Sequence, residues 1–264
     1  MIFKIDFKVT SDHDVFLPPF PSKLSRLVLT RLYPSYSKLQ EAGTPYKPLR
    51  VTTIKDSRGS PLYAVGGRKV IMKKGEGYSF SFTFLDPKVF EEIVSNPDAE
   101  VQEWDTRFHV SMKDAQVVED FKGIGDTRLF KVEFLTPTSL QPIRPNFKRK
   151  DNRYVLFPYV PLLMHSLMKH WNQNMEEKVH SVAGVKALYY MREVDYWLRP
   201  VTTFYDGRPV RGFVGWTVFE LRSRRYTRLT RAAKTLLEYA NYFGVGKSRA
   251  IGFGEVRVSV MSDG

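Results

Sequence analysis

Strands and helices follow one another in the same order twice along this chain, and that repetition limits the folds open to it more than any other feature. The first half opens with Phe3, Ile5, Phe7 and Val9 alternating with Lys4, Asp6 and Lys8, the period-two pattern of a half-buried strand. Ser22 stands where an N-cap belongs, ahead of a helix whose apolar face is Leu24, Leu27, Val28 and Leu32. Short strands are expected near Arg50–Ile54 and Leu62–Val65. A hairpin follows, Ile71–Lys74 and Tyr78–Leu85, closed by Gly75-Glu76-Gly77. Asp86 caps a short helix to about Val94, and Phe108, Val110 and Met112 begin another strand.

Gly123-Ile124-Gly125-Asp126 reads as a joint, after which the order returns. A strand at Arg128–Leu135 leads to a helix at Tyr159–Gln173. Strands near Ala187–Arg192, Val201–Tyr205 and Gly212–Leu221 precede a helix at 228–243 and a last strand at 253–260. Each half is therefore β-α-β-β-α-β with extra hairpin material, which makes an α+β chain of two tandem ferredoxin-like domains, 1–125 and 126–264. No period of 20–50 residues runs through it, so this is a duplication and not a solenoid.

Between the last helix and the last strand lies Gly244-Val245-Gly246-Lys247-Ser248-Arg249-Ala250-Ile251-Gly252-Phe253-Gly254, with four of the chain's 17 glycines in eleven positions. Consecutive amides in such a loop can form a concave nest for a phosphate, with Lys247 and Arg249 supplying charge, so the loop reads as an anion cradle. It is not a nucleotide P-loop. That motif needs strand, loop, helix, the order here is reversed, and Asn241 stands where its first glycine belongs. A dinucleotide GxGxxG fails at Arg249.

Charge separates along the chain. Residues 1–126 hold 18 Lys/Arg against 17 Asp/Glu, and the remainder hold 23 against 11, so nearly all of the net +13 lies in the second half. Lys148-Arg149-Lys150 and Arg222, Arg224, Arg225, Arg228 and Arg231 are its main clusters. A basic half of this kind presents a surface for a polyanion, RNA or DNA. Cysteine is absent, which excludes disulfides, thiol catalysis and thiolate metal sites. The first 20 residues lack a signal-peptide core, and no apolar run approaches the ~20 residues of a membrane span, so the expectation is a cytoplasmic protein without a membrane partner.

The tandem halves, with a final helix running into a loop containing Gly252-Phe253-Gly254 and then a strand, resemble the RAMP superfamily of CRISPR-associated proteins. Within it the chain is similar to the repeat-cleaving endoribonucleases of the Cas-six type, in particular the crenarchaeal ones. The matching segments are Gly244–Val258, Arg211–Trp216, Val132–Thr138, Trp104–Val110 after Asn96-Pro97, and Pro45-Tyr46-Lys47-Pro48. The resemblance implies metal-independent cutting of single-stranded CRISPR repeat RNA to mature guide RNA. The 2′-OH beside the scissile bond attacks the phosphate and leaves a 2′,3′-cyclic phosphate and a 5′-OH. No cofactor or metal is implied. Repeat RNA is the partner, with effector-complex subunits and a second copy of the chain left open.

Many members of that family place a histidine in or after the first helix, whereas here there is none between residues 14 and 108. The helix instead carries Lys23 and Arg26, three apart and on one face, and Lys47 matches a position where crenarchaeal relatives carry another active-site lysine. Lys23, Arg26 and Lys47 are therefore the candidate catalytic residues, with Lys23 or Lys47 as proton carrier because a guanidinium cannot serve as a base. Gly244, Gly246, Lys247, Ser248, Arg249, Gly252, Gly254 and Arg192 are the candidate RNA-binding residues. Among the histidines only His13 sits in a loop near the first helix. His109 reads as a strand residue, and His165 and His170 diverge around one helix, so no metal constellation is expected. Tyr33, Tyr36 and Tyr46 are candidates for stacking on bases. The missing helix histidine leaves one alternative open, a RAMP subunit that binds guide RNA without cutting it.

Overall fold

The computed structural model describes residues 1–41, 43–44, 46–125, 127–142, 153–222 and 227–261. The chain forms two compact units. The first holds Met1–Asp120, Thr202–Val210 and Ala250–Gly252; the second holds Phe121–Val201, Arg211–Arg249 and Phe253–Gly264. Lys148–Lys150, Arg224, Arg225, Pro45 and Asp126, all singled out above, lie outside the described residues.

In the first unit, β1 (Ile2–Ser11) lies antiparallel between β5 (Tyr78–Phe84) and β7 (Thr106–Val118). Strands β3 (Leu49–Val51) and β6 (Asp98–Glu103) complete the sheet order β3-β5-β1-β7-β6. Without the outermost β6 this is the strand order of a ferredoxin-like unit. Alternation in β1 sends Phe3, Ile5, Phe7 and Val9 inward, where Phe3 stacks on Phe84 at 5.6 Å and Phe7 on Phe80 at 4.9 Å between ring centroids. Two helices follow in turn, α1 (Ser22–Leu32) and α2 (Pro34–Glu41), with α3 (Pro87–Ser95) after β5. The Asp86 side chain accepts from the Lys88 amide at 2.9 Å and caps α3 as the sequence predicts.

Three local expectations fail here for physical reasons. Ser22 is the first helical residue and Pro21 holds the cap position; the Ser22 hydroxyl donates instead to the Ile251 carbonyl at 2.7 Å. The expected hairpin of Ile71–Lys74 with Tyr78–Leu85 does not form, because both edges of β5 are taken by β1 and β3. Strand β4 (Val70–Met72) pairs with β2 (Val15–Leu17). Leu62–Val65 is not a strand; it runs as irregular chain, with the Leu62 amide on Ile54 O.

In the second unit β8 (Leu129–Thr138) pairs on one side with β10 (Arg208–Leu221) and on the other with β11 (Val256–Val260). With β9 (Met191–Tyr205) the order is β11-β8-β10-β9, again ferredoxin-like. Helices α4 (Val160–Asn174) and α6 (Thr227–Phe243) bury Leu163, Leu167, Trp171, Leu236, Leu237 and Phe243. Ala187–Arg192 is not the strand predicted: Ala187–Tyr190 forms a short helix, α5, and the strand begins at Met191. Strands β9 and β10 are joined by Asp206-Gly207, both at positive φ (48° and 74°), a two-residue turn whose twist matches that of the strands it joins. No helix among the described residues is long and apolar enough to cross a membrane.

Candidate active site

The cations predicted on the first helix meet the tip of the β9–β10 hairpin, which belongs to the same compact unit. Lys23 Nζ lies 3.0 Å from Asp206 Oδ1, with about half of each side chain exposed. One turn along α1, the Arg26 guanidinium donates to the Tyr205 hydroxyl and faces the phenol of Tyr36. Gln40, its side-chain oxygen turned toward the guanidinium, accepts from Arg26 Nε at 3.0 Å. The Gln40 backbone carbonyl accepts from Lys47 Nζ. Gln40 thus joins Arg26 to Lys47, and Asp206 and Tyr205, adjacent in the chain, join Lys23 to Arg26.

The electrostatics of this cluster follow from its burial. Burial opposes the charge on Arg26, but the facing Tyr205 and Tyr36 oxygens outweigh it and hold its pKa above the usual guanidinium value. Burial pushes both phenols up, with Arg26 pulling against it, so they remain neutral O–H groups at physiological pH. Beside Lys23 a cavity of about 290 Å³ is walled by Pro19, Phe20, Phe204, Tyr205 and Asp206. Lys47 differs from the other two cations. Its ammonium sits on a carbonyl in the last turn of α2, where a cation satisfies the helix end.

Tyr205, Asp206 and Gln40 are the members of this cluster that sequence reasoning missed. The local signal available was Tyr205-Asp206-Gly207-Arg208, a hairpin-turn sequence between two apolar alternations. The histidines lie elsewhere. His13 is exposed, with Nδ1 3.4 Å from Thr106 Oγ1. His109 is held by Asp12 at 2.9 Å and Glu100 at 3.1 Å, His170 is buried against the Tyr239 hydroxyl at 2.6 Å, and burial with Lys169 nearby depresses His165. Tyr33 is buried and donates to Asn96 O at 3.0 Å. Among the described residues no group of three or more His, Cys, Asp or Glu is placed to hold a metal ion.

The glycine loop is not the open cradle its sequence suggests. The Gly246 amide donates to Ser166 Oγ at 2.9 Å, Lys247 N to Ser139 O at 3.1 Å, Val245 N to Gly254 O at 2.9 Å and Gly254 N to Pro137 O at 3.3 Å. These donors are engaged within the second unit rather than turned outward. The glycines permit close approach of the chain to itself: a Cβ on Gly246 would collide with Ser139 O, and one on Gly254 with Val245 O. Gly244 N bonds Ala240 O at the end of α6, Gly252 falls in the first unit beside Ser22, and Ser248 adopts positive φ, 62°.

The two cations of the loop part company. Arg249 is 5% exposed, and its guanidinium donates to Gly244 O and Ser166 O at 3.3 Å each, which braces the loop from inside. Lys247 reaches outward over the Tyr154 ring, 5.2 Å from its centroid, with Nζ 3.2 Å from the phenol oxygen. Arg192 is exposed and paired with Glu220. Arg222, Arg228 and Arg231 are exposed, as a basic surface requires.

The Cas6 N-terminal domain family model matches residues 3–118, and the CRISPR-associated endoribonuclease Cas6 model matches residues 132–256. CRISPR-associated endoribonuclease Cas6 1 of Saccharolobus solfataricus is 27% identical over 291 residues, covering 98% of this chain and 96% of the relative. A second curated relative from that organism, CRISPR-associated endoribonuclease Cas6 2, is 26% identical over 282 residues with the same coverage. Among solved structures, a Cas6 product complex shares the fold with a TM-score of 0.70 at 17% identity, covering 98% of this chain and all of the other.

Proposed function

Because the chain belongs to the CRISPR-associated endoribonuclease Cas6 family, and is therefore an RNA-cutting enzyme of CRISPR repeats, we propose that it matures guide RNA by metal-independent transesterification. The non-cleaving alternative has no ground in a chain matched to the endoribonuclease model over its second half. In the proposed reaction the 2′-oxygen bonds to phosphorus as its proton passes to water, and the bond from phosphorus to the 5′-oxygen breaks as that oxygen takes a proton from the Lys23 ammonium or from water. A 2′,3′-cyclic phosphate and a 5′-OH result. Charge builds on the phosphorane oxygens at the transition state, and fixed cations there lower the barrier without moving during the step.

Arg26 is the fixed cation. It is half-buried and held on three sides by Tyr205, Tyr36 and Gln40, so its orientation is set before RNA arrives. Lys23 lines the cavity beside Phe204 and Tyr205, where an aromatic wall stacks a base and an ammonium grips or protonates an adjacent phosphate oxygen. In the absence of RNA, Asp206 occupies Lys23, and a phosphate displaces it. Lys47 acts through Gln40, positioning Arg26. Lys247 and the exposed arginines of the second unit hold the backbone of the RNA, with Arg249 holding their loop. The reaction takes place in the cytoplasm, with effector subunits receiving the guide RNA.

The single observation that carries this reading is the set of bonds at Arg26 and Lys23 in a chain of this family without a histidine in its first helix. The test is incubation with labelled cognate repeat RNA in EDTA. The expected product ends in cyclic phosphate, and a repeat with 2′-H in place of the 2′-OH before the cut should give none. Cleavage of that deoxy repeat would remove the proposed nucleophile.

A further inference from the structure

Strands β2 and β4 form a ribbon of their own in the first unit, and its outer face is apolar and basic at once. In the middle pair Phe16 stands opposite Ile71, and the two are 63% and 51% exposed. Val15, Leu17 and Met72 face the other way and are buried, so the core takes what it needs from the inner face alone. Alternation along β4 sets Lys69 and Lys73 outward with Ile71, both exposed. Lys69 Nζ lies over the Phe16 ring, 6.0 Å from its centroid. Residues 65–74 hold four cations, Arg68, Lys69, Lys73 and Lys74, and no carboxylate. The carboxylates nearest in sequence are engaged beyond the far end of the ribbon. Asp14 accepts from the Lys74 amide at 2.8 Å and Glu76 from the Tyr78 hydroxyl at 2.9 Å.

The near end of the ribbon opens into the cavity beside Lys23. Leu17 runs directly into Pro18 and Pro19, and Val70, its pair on β4, follows Gly67 by three residues. Pro18, Pro19 and Gly67 all line the cavity. At ~3.3 Å per residue Phe16 stands about 7 Å along the chain from Pro18. An unstacked strand with a base in the cavity therefore passes over Phe16 as it leaves. Charge complementarity selects this occupant: an aromatic ring ringed by ammonium and guanidinium groups suits a polyanion that also carries flat bases.

We propose that the β2–β4 ribbon is a second stacking station for the RNA strand, where Phe16 carries a base beyond the one in the cavity and Lys69 and Lys73 take the phosphates beside it. The proposal rests on the reading of that cavity as an RNA subsite, and it makes Phe16 a determinant of how far from the cut the repeat is read. The test is an abasic scan. Repeat RNAs with 2′-H at the cut, each lacking one base, are bound by filter assay to the wild type, Phe16→Ala and Phe16→Trp. Wild type should lose about five-fold or more in affinity at the position seated on Phe16. Phe16→Ala should bind the intact repeat more weakly by the same factor and lose nothing further at that position. Every other position should cost the variant what it costs the wild type. Phe16→Trp should keep the wild-type pattern, and melting curves should show both variants folded, since the side chain is exposed.

Phe16→Ala with wild-type affinity for the intact repeat would overturn the proposal and leave the cavity and the chemistry standing. So would a variant whose losses repeat those of the wild type at every position. A wild type that binds no repeat would overturn both the proposal and the reading beneath it. Unchanged RNA binding in Phe16→Ala with an altered mass in solution would assign the ribbon to a protein contact instead.

Discussion

Asp206 Oδ1 lies 3.0 Å from Lys23 Nζ although 183 residues separate the two in the chain. The pair is exposed, and such pairs contribute only about 0–1 kcal/mol, so its importance lies in what it holds back from RNA. With the shape of the side chain kept and the charge removed, Asp206→Asn should bind repeat RNA more tightly, by no more than about five-fold. Filter binding at fixed salt measures it. Weaker binding would mean that Asp206 organises the hairpin tip instead of competing with phosphate.

The two loop cations should separate in opposite assays. Arg249→Ala takes the guanidinium donor from the buried Gly244 carbonyl and from Ser166 O, which costs about 1–3 kcal/mol and lowers the melting temperature. Lys247→Glu should leave the melt unchanged and weaken RNA binding. It should also flatten the salt dependence by about 0.7 in log K against log salt for each phosphate that the variant no longer neutralises. A thermal melt and a salt titration on both variants decide the matter; the reverse pattern would put Arg249 in the RNA interface.

Buried phenols set an alkaline limit on stability. Burial pushes Tyr33 up to about 12, with Glu92 and Asp98 adding to it, and burial raises Tyr239 and Tyr190 as well. The neutral form is favoured in the folded chain, so this contribution is complete below the unfolded value near 10 and is lost as pH rises toward 12. Absorbance near 295 nm, followed with circular dichroism, should show these tyrosines ionising only as the fold is lost. Ionisation of every tyrosine near pH 10 in a folded chain would contradict it.

What was legible in the sequence was whatever rests on local pattern. Period-two alternation gave β1, β5, β7 and β11, helical spacing gave α1 and α6, and the three-residue step from Lys23 to Arg26 put both cations on one face. Strand β6, Asp98–Glu103, was missed because an exposed edge strand of this composition has little apolar alternation to display. Asp206 beside Lys23 and Tyr205 beside Arg26 could not be read, since they arrive 183 and 179 residues away. Arg249 misled for a related reason: a charge in a glycine loop suggests solvent, and only the packed loop reveals carbonyls waiting for a buried guanidinium.

The central claim is that Arg26 stabilises the transition state and does little for binding, which a single-turnover rate measured beside an affinity can separate. In EDTA, with cognate repeat RNA and protein in excess, Arg26→Ala should cut about ten-fold more slowly or worse, since a group of this kind is typically worth ~2.7–4 kcal/mol. Arg26→Lys should recover little, because an ammonium cannot reach Tyr205, Tyr36 and Gln40 together. His13→Ala should cut as the wild type does. RNA affinity should be nearly the same in all of them, and melting curves should show each folded. An unchanged rate in folded Arg26→Ala, a collapse in His13→Ala, or rate and affinity falling in step would contradict the account.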